Sequence, residues 1–61
     1  MSIYQVKQLH NGDQVFWRAN SGHESDYFTI MKIEWLDEST GAIRIYDLYG
    51  KVKEVFCHEL A

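Results

Sequence analysis

The sequence of 61 residues contains no proline and only one cysteine. A single cysteine excludes an internal disulfide, which is a common way to stabilise a very small domain. Because proline is absent, the tight turns must be formed by glycine, asparagine, aspartate or serine. A chain of this length is one domain at most, and it buries only about 60% of the surface that its unfolded form exposes.

Basic residues are scarce as well: six Lys and Arg stand against nine Asp and Glu, for a net charge of −3. A protein that binds DNA or RNA mainly by neutralising phosphates needs the opposite balance. The sequence also has no apolar run near the roughly 18 residues of a membrane helix, no secretory signal and no acylation motif. We therefore expect a soluble intracellular protein, cytoplasmic or nuclear, without membrane association. Apolar residues reach 46%, which excludes a disordered tail.

Turn-forming residues recur at short intervals, as in a small all-β domain. Between them lie runs rich in Val, Ile, Tyr, Phe and Trp, which is strand composition. The turn signals lie at residues 11–13, 20–26, 37–41 and 50, and the runs predict five strands over residues 3–9, 14–19, 27–36, 42–46 and 52–57. Short antiparallel strands with one bare face are unstable, so we predict a small SH3-like barrel. Residues 1–61 form a single domain in this interpretation, with 1–10 as an N-terminal strand or extension and a 3₁₀ turn at 58–60.

Alternation along the third predicted strand assigns its two faces. The apolar set expected to face the core is Tyr27, Thr29, Met31, Ile33 and Trp35. Phe28, Ile30, Lys32, Glu34 and Leu36 then face solvent. In the fourth strand Ile43 and Ile45 face inward. If residues 37–41 close a hairpin, Trp35 lies opposite Ile43 and Glu34 opposite Arg44, which places unlike charges together.

Three stretches together resemble a Tudor domain. They are Gly12-Asp13-Gln14-Val15, then Phe16-Trp17-Arg18-Ala19, then Ile43-Arg44-Ile45-Tyr46-Asp47-Leu48-Tyr49-Gly50-Lys51 followed by Glu54-Val55 and Leu60. Tudor domains have a Gly-Asp turn, an aromatic-Arg-Ala segment and an apolar strand that ends in Asp-Tyr-Gly-Asn, in this order. The resemblance covers roughly residues 11–60.

The resemblance implies binding rather than catalysis, because Tudor domains commonly hold methylated arginine or lysine in a cage of aromatic rings. A methylated cation is poorly hydrated and is attracted to ring faces by up to about 2 kcal/mol. Carried over by position, the cage would use Tyr27, Tyr46 and Tyr49. Trp17 lies on the same strand face as the family's first cage aromatic, two residues earlier. Lys51 replaces the family's ligand-binding asparagine, and a lysine would repel a cationic guest.

The aromatic residues allow a second interpretation, in which the rings simply cover a small core. Trp35 fits the inward face of its strand and is expected in the core, whereas Trp17 fits either the core or a binding rim. Tyr46 is the most informative ring. Its parity is opposite to that of Ile43 and Ile45, so it should point away from the core.

Catalytic and metal-binding patterns are absent from the sequence. Cys57 and His58 are neighbours on a predicted strand and point to opposite faces, so they cannot share a metal. His10 and His23 lie in or near predicted loops. There is no Gly-x-Ser-x-Gly elbow, and a five-stranded barrel leaves little concave volume. We expect a buried thiol beside a surface imidazole, no cofactor, no bound metal and no enzymatic activity.

Three functions remain open. The leading hypothesis is a non-enzymatic module that binds a protein or a basic or methylated peptide. Its candidate site is the aromatic rim with two charged neighbours, namely Trp17, Tyr27, Tyr46, Asp47, Tyr49 and Lys51. The second is a small regulator of transcription or nucleic-acid processing that contacts RNA, DNA or a polymerase. Its basic residues would be Arg18, Lys32, Arg44, Lys51 and Lys53, although the net charge disfavours it. The third is an assembly subunit, monomeric or weakly self-associating, that pairs through a strand edge or the rim.

Overall fold

A computed structural model of the protein describes residues 1–18 and 26–61. In chain order the elements are α1 (Ile3–Lys7), β1 (Gln14–Trp17), β2 (Asp26–Asp37), β3 (Ala42–Asp47), β4 (Val52–Phe56) and a 3₁₀ helix (Cys57–Glu59). The strands form one antiparallel sheet in the order β1-β2-β3-β4, which curls into a half-barrel. The predicted turn at residues 20–25, the end of the second predicted strand at Ala19, and His23 lie outside the described residues.

The N-terminal segment is a helix, so the strand predicted over residues 3–9 is wrong. Ser2 and Gln5 form a capping box: the Gln5 N–H donates to Ser2 Oγ at 3.1 Å, and the Ser2 N–H donates to Gln5 Oε1 at 2.9 Å. Ile3, Val6 and Leu9 lie three residues apart, which places them on one helical face rather than alternating across a strand. Val6 is buried, whereas Tyr4 is 72% exposed.

The long strand β2 changes its inward face part-way along, which corrects the predicted alternation. Ile30 pairs with Asp47 and Lys32 with Tyr46, so Met31 is an extra residue on β2. Before this bulge the buried residues are Phe28 and Ile30, both predicted to face solvent. The same offset leaves Tyr27 and Met31, predicted to face the core, exposed on the surface.

Beyond the bulge the predicted face of β2 is correct. Ile33 and Trp35 are partly buried and pack against the core, as expected for the inward side of the strand. The inward face is therefore continuous across the bend only because one residue is inserted. A bulge of this kind bends the strand and increases its twist, which lets β2 pair with β1 at one end and with β3 at the other.

The β2–β3 hairpin has the predicted register. Trp35 pairs with Ile43 and Glu34 with Arg44, and the Arg44 Nη1 to Glu34 Oε1 distance is 2.8 Å. The turn closes where the Gly41 N–H donates to the Asp37 carbonyl at 3.0 Å. Gly41 has φ +79°, and a Cβ there would lie 3.3 Å from Ile3 Cγ1, so both the backbone and the packing of α1 favour glycine.

The C-terminal residues close the sheet back onto its first strand. Phe16 and Ala61 exchange two backbone hydrogen bonds of 3.0 and 2.8 Å, and Leu60 forms a bridge with Trp17. The preceding 3₁₀ helix lies one residue earlier than predicted and folds Leu60 into the core as expected. The buried hydrophobic residues are Val6, Val15, Trp17, Phe28, Ile30, Ile43, Ile45, Val55, Cys57 and Leu60.

Cys57 and His58 lie in the 3₁₀ helix rather than at the end of a strand, but they have the predicted burial and exposure. Cys57 is a free thiol that is buried, and burial raises its pKa. His58 is exposed and stacks on Phe56, with ring centroids 5.5 Å apart. In residues 1–18 and 26–61 no three His, Cys, Asp or Glu side chains are grouped as metal ligands. None of the helices in the same ranges has the length and apolar character needed to span a membrane.

Val6 tests whether the N-terminal helix is part of the folded core. Because Val6 is 1% exposed, Val6→Ala should lower the free energy of unfolding by about 2 kcal/mol, measured by urea denaturation. Tyr4→Ala on the same helix is the matched control and should change it by less than about 0.5 kcal/mol. Equal effects of the two substitutions would contradict the observed face of α1.

Candidate functional site

The residue that organises the candidate site is Asp47, the last residue of β3. It is 6% exposed, and its two carboxylate oxygens accept different backbone donors. The Thr29 N–H donates to Oδ2 at 2.8 Å, and the Tyr49 N–H donates to Oδ1 at 2.6 Å. This carboxylate, predicted as a partner for a basic peptide, therefore joins β2 to the β3–β4 turn from inside the protein.

The β3–β4 turn presents two large apolar side chains to solvent. Leu48 is 53% exposed and Tyr49 is 80% exposed. The Gly50 N–H donates to the Asp47 carbonyl at 3.1 Å, and Gly50 has φ +89°, a conformation that favours glycine. The Leu48 N–H also donates to the Thr29 carbonyl at 2.9 Å. The turn is therefore fixed against β2 while its apolar side chains stay in solvent.

Tyr27 lies on the part of β2 that faces this turn. The residue is 57% exposed, and its ring forms a T-shaped contact with the ring of Phe16, with centroids 5.0 Å apart. Lys51, which follows the turn, donates to the Tyr27 carbonyl at 3.1 Å. We use the name binding rim for the exposed side chains of Tyr27, Leu48 and Tyr49.

The side chain of Lys51 is held beside the binding rim by contacts with other residues of the protein. Its ammonium lies 2.8 Å from Asp26 Oδ2 and 4.6 Å from the centroid of the Phe28 ring. The hydrogen bond with Asp26 raises the pKa of Lys51 and lowers the pKa of Asp26. A positive charge of the protein is thus already seated among the aromatic residues of this region.

Trp17 belongs to the core rather than to the binding rim. It is 7% exposed, its ring packs edge-on against Phe28, and Leu60 pairs with its backbone. Its indole N–H donates to Glu59 Oε2 at 3.3 Å, which gives the buried ring its polar partner. The ammonium of Lys53 lies 4.5 Å from the ring centroid and covers the remaining face.

Tyr46 lies on the outer face of the sheet, as its parity predicts. It is partly buried, its hydroxyl donates to Glu34 Oε1 at 3.1 Å, and the Lys32 ammonium lies 5.3 Å from its ring. The ring contacts within the described residues join Phe16 to Tyr27, Trp17 to Phe28 and Phe56 to His58. The four aromatic residues carried over from the Tudor pattern are therefore not in ring contact with one another.

The basic residues are distributed over several surfaces and mostly have internal partners. Arg44 lies between Glu34 and Glu54 at 2.8 and 2.7 Å, and the bond with Glu54 raises its pKa. All four lysines of the chain lie over an aromatic ring, within 5.5 Å of its centroid. Each lysine ammonium is therefore placed against a ring of the protein itself.

The described residues also form two shallow grooves apart from the binding rim, neither of which was predicted from the sequence. The first, of about 450 Å³, lies between α1 and β2 and is lined by Val6, Lys7, Leu9, Asn11, Ile30, Ile33 and Trp35. The second, of about 240 Å³, involves Leu36, Ala42 and Phe56 at the far end of the β3–β4 hairpin. The first could not be found without recognising α1 as a helix. The second groove could have been suspected from the large apolar residues at outward positions of the predicted strands.

Comparison with known protein families, with curated proteins and with solved structures finds no match to this chain.

Substituting Asp47 should destabilise the folded protein, because the substitution removes hydrogen bonds as well as a charge. Asp47→Ala leaves two backbone donors without their charged acceptor, so the free energy of unfolding should fall by about 3 kcal/mol in urea denaturation. Asp47→Asn keeps one acceptor oxygen and should lose less. Asp37→Ala, at the exposed aspartate of the other hairpin turn, is the control and should have a clearly smaller effect. An Asp47→Ala protein as stable as the wild type would contradict the role of the Asp47 carboxylate in joining β2 to the β3–β4 turn.

The Lys51–Asp26 pair gives a pH-dependent signal. Because Lys51 lowers the pKa of Asp26, the carboxyl signal of Asp26 in an NMR titration should have its midpoint below 3.8, and Lys51→Met should move it up toward that value. The stabilisation from this pair is fully present above pH 3.8 and is lost as the pH falls through the lowered pKa of Asp26. An identical midpoint in both proteins would show that the two side chains are not paired in solution.

Proposed function

We propose that this protein is a non-enzymatic binding module that recruits an unmodified protein partner through the binding rim. The observation that carries the proposal is the exposure of Leu48 and Tyr49 on a turn that Asp47 holds in place. Tyrosine supplies a large contact area at a low entropic cost, and such residues dominate the energy of protein interfaces. A rigid turn loses little further freedom when a partner binds.

The proposal rests on a curled antiparallel sheet that is compatible with a small SH3-like barrel. The half-barrel of four strands continues into residues 59–61, which pair with β1, so the sheet returns to its first strand. Gly12 and Asp13 precede β1, and the Leu48–Gly50 turn follows Asp47 at the end of β3, an arrangement that is compatible with the Tudor resemblance.

An unmodified partner fits this site better than a methylated one. A cage for a methylated cation needs several ring faces around one empty position. Here the Lys51 ammonium is already paired with Asp26 and lies over Phe28. Trp17 is buried, with the Lys53 ammonium over its ring. A cationic guest would have to displace a lysine of the protein itself.

The experiment that tests the proposal is partner capture by immobilised protein from the native cell, compared across three single variants. Tyr49→Ala and Leu48→Ala should reduce the captured partner by about tenfold, as expected for central interface residues. Tyr4→Ala is the matched control, because Tyr4 is 72% exposed on α1 and lies outside the binding rim. All variants must keep the wild-type melting temperature.

The binding rim would be excluded as the site if Tyr49→Ala and Leu48→Ala captured as much partner as Tyr4→Ala. An NMR titration with peptides bearing unmodified, methylated-arginine or methylated-lysine residues separates the two ligand classes. Shifts of the amides of residues 46–51 that depend on methylation would overturn the preference for an unmodified partner. Binding of a short oligonucleotide that weakens with salt would instead favour the nucleic-acid alternative.

A further inference from the structure

The outer face of β2, β3 and β4 has an apolar end that lies away from the binding rim. Across this face Lys32, Tyr46 and Val52 are paired at one end of the hairpin, and Glu34, Arg44 and Glu54 in the middle. At the far end Ala42 pairs with Phe56. Leu36, the extra residue at the second irregularity of β2, lies beside this last pair.

These far-end residues form the groove of about 240 Å³. Leu36 is 44% exposed and Phe56 is 43% exposed, so two large apolar side chains meet solvent across a small Ala42. Neighbouring exposed apolar side chains that are rimmed by polar residues are typical of interaction sites. We name this site the far groove, defined by Leu36, Ala42 and Phe56.

The far groove is held rigid by Glu59 of the 3₁₀ helix. Glu59 Oε1 accepts the Phe56 N–H at 2.9 Å, while its Oε2 accepts the indole N–H of Trp17 at 3.3 Å. The Phe56 ring is also stacked on His58 with an interplanar angle of 10°. One wall of the groove is therefore tied to the buried core and is already shaped before any partner arrives.

The ionisable side chains among the described residues that line the far groove are acidic. Glu54 and Glu59 line it, and the lining contributed by described residues contains no Lys or Arg. Asp37 follows Leu36 directly and is exposed. Arg44, the nearest guanidinium on this face, lies between Glu34 and Glu54 and is balanced by both. An apolar cleft edged by carboxylates complements an apolar side chain flanked by positive charge.

We propose that the far groove is a second docking site, which takes a short partner segment carrying a large apolar side chain next to Arg or Lys. The site is independent of the binding rim, because Phe56 lies four residues along β4 from Val52, about 14 Å away at the strand rise. Two partners can therefore occupy opposite ends of the same hairpin. The chain would then link two proteins rather than bind one.

The test is an NMR titration of the ¹⁵N-labelled full chain with a capped peptide that alternates arginine and leucine. We expect saturable shifts of the amides of Ala42, Val55 and Phe56, and no such shifts with the peptide in which glutamate replaces arginine. Phe56→Ala should weaken binding of the arginine peptide by about tenfold. Val52→Ala, at a position 53% exposed on the same face of β4, should weaken it less than twofold.

A charge-matched pair of variants tests whether the carboxylates at the far groove contribute to peptide binding. Glu54→Gln should weaken peptide binding, whereas Glu38→Gln, on the hairpin turn and paired with Lys7, should not. If Phe56→Ala fails to fold, Leu36→Ala provides the same comparison. Shifts confined to the binding rim, equal effects of Phe56→Ala and Val52→Ala, or no binding of the arginine peptide would each overturn the proposal. A dimer in sedimentation that Phe56→Ala dissociates would also overturn it, because the occupant would then be a second copy.

Discussion

The buried carboxylate of Asp47 is the constraint on which the rest of this small structure depends. It lies where β2 inserts Met31 and changes its inward face, and it accepts the N–H of Thr29 just before that bend. The same carboxylate accepts the N–H of Tyr49. One side chain therefore fixes both the bend, which allows the sheet to curl, and the turn, which presents Leu48 and Tyr49. The stability of the fold and the shape of the proposed binding surface therefore depend on the same side chain.

The second constraint is the shortage of apolar area in a chain of this size, and lysine helps to relieve it. The ammonium groups of Lys7, Lys32, Lys51 and Lys53 lie over Trp35, Tyr46, Phe28 and Trp17 in that order. Their methylene stems can cover ring surface while the charge stays near water. The consequence for function is that most aromatic faces already have a partner from the protein itself. Among the described residues, no lysine lies over the rings of Tyr27 and Tyr49, which stay 57% and 80% exposed.

Much of the fold could be predicted from the sequence, because alternation and turn residues determine hairpin register. The pairing of Glu34 with Arg44 follows from the Asp37–Gly41 turn in this way. The bulge at Met31 could not be predicted, because neither glycine nor a polar residue marks it. The helix at Ile3–Lys7 could have been found from the capping box of Ser2 and Gln5 and the three-residue spacing of its apolar side chains. The site was less predictable, since the burial of Trp17 and Asp47 arises from contacts with Glu59 and Thr29, which are distant in sequence.

The most direct test of this account is amide hydrogen exchange at Thr29 and Tyr49, compared between the wild type and Asp47→Asn. Both amides donate to the Asp47 carboxylate and should exchange slowly in the wild type. In Asp47→Asn, which keeps only one acceptor oxygen, at least one of the two should lose protection, while the amides of Ile43 and Ile45 in the core keep more of theirs. If Thr29 and Tyr49 exchange as fast in the wild type as in the variant, the carboxylate does not hold the bend and the turn, and the central claim is wrong.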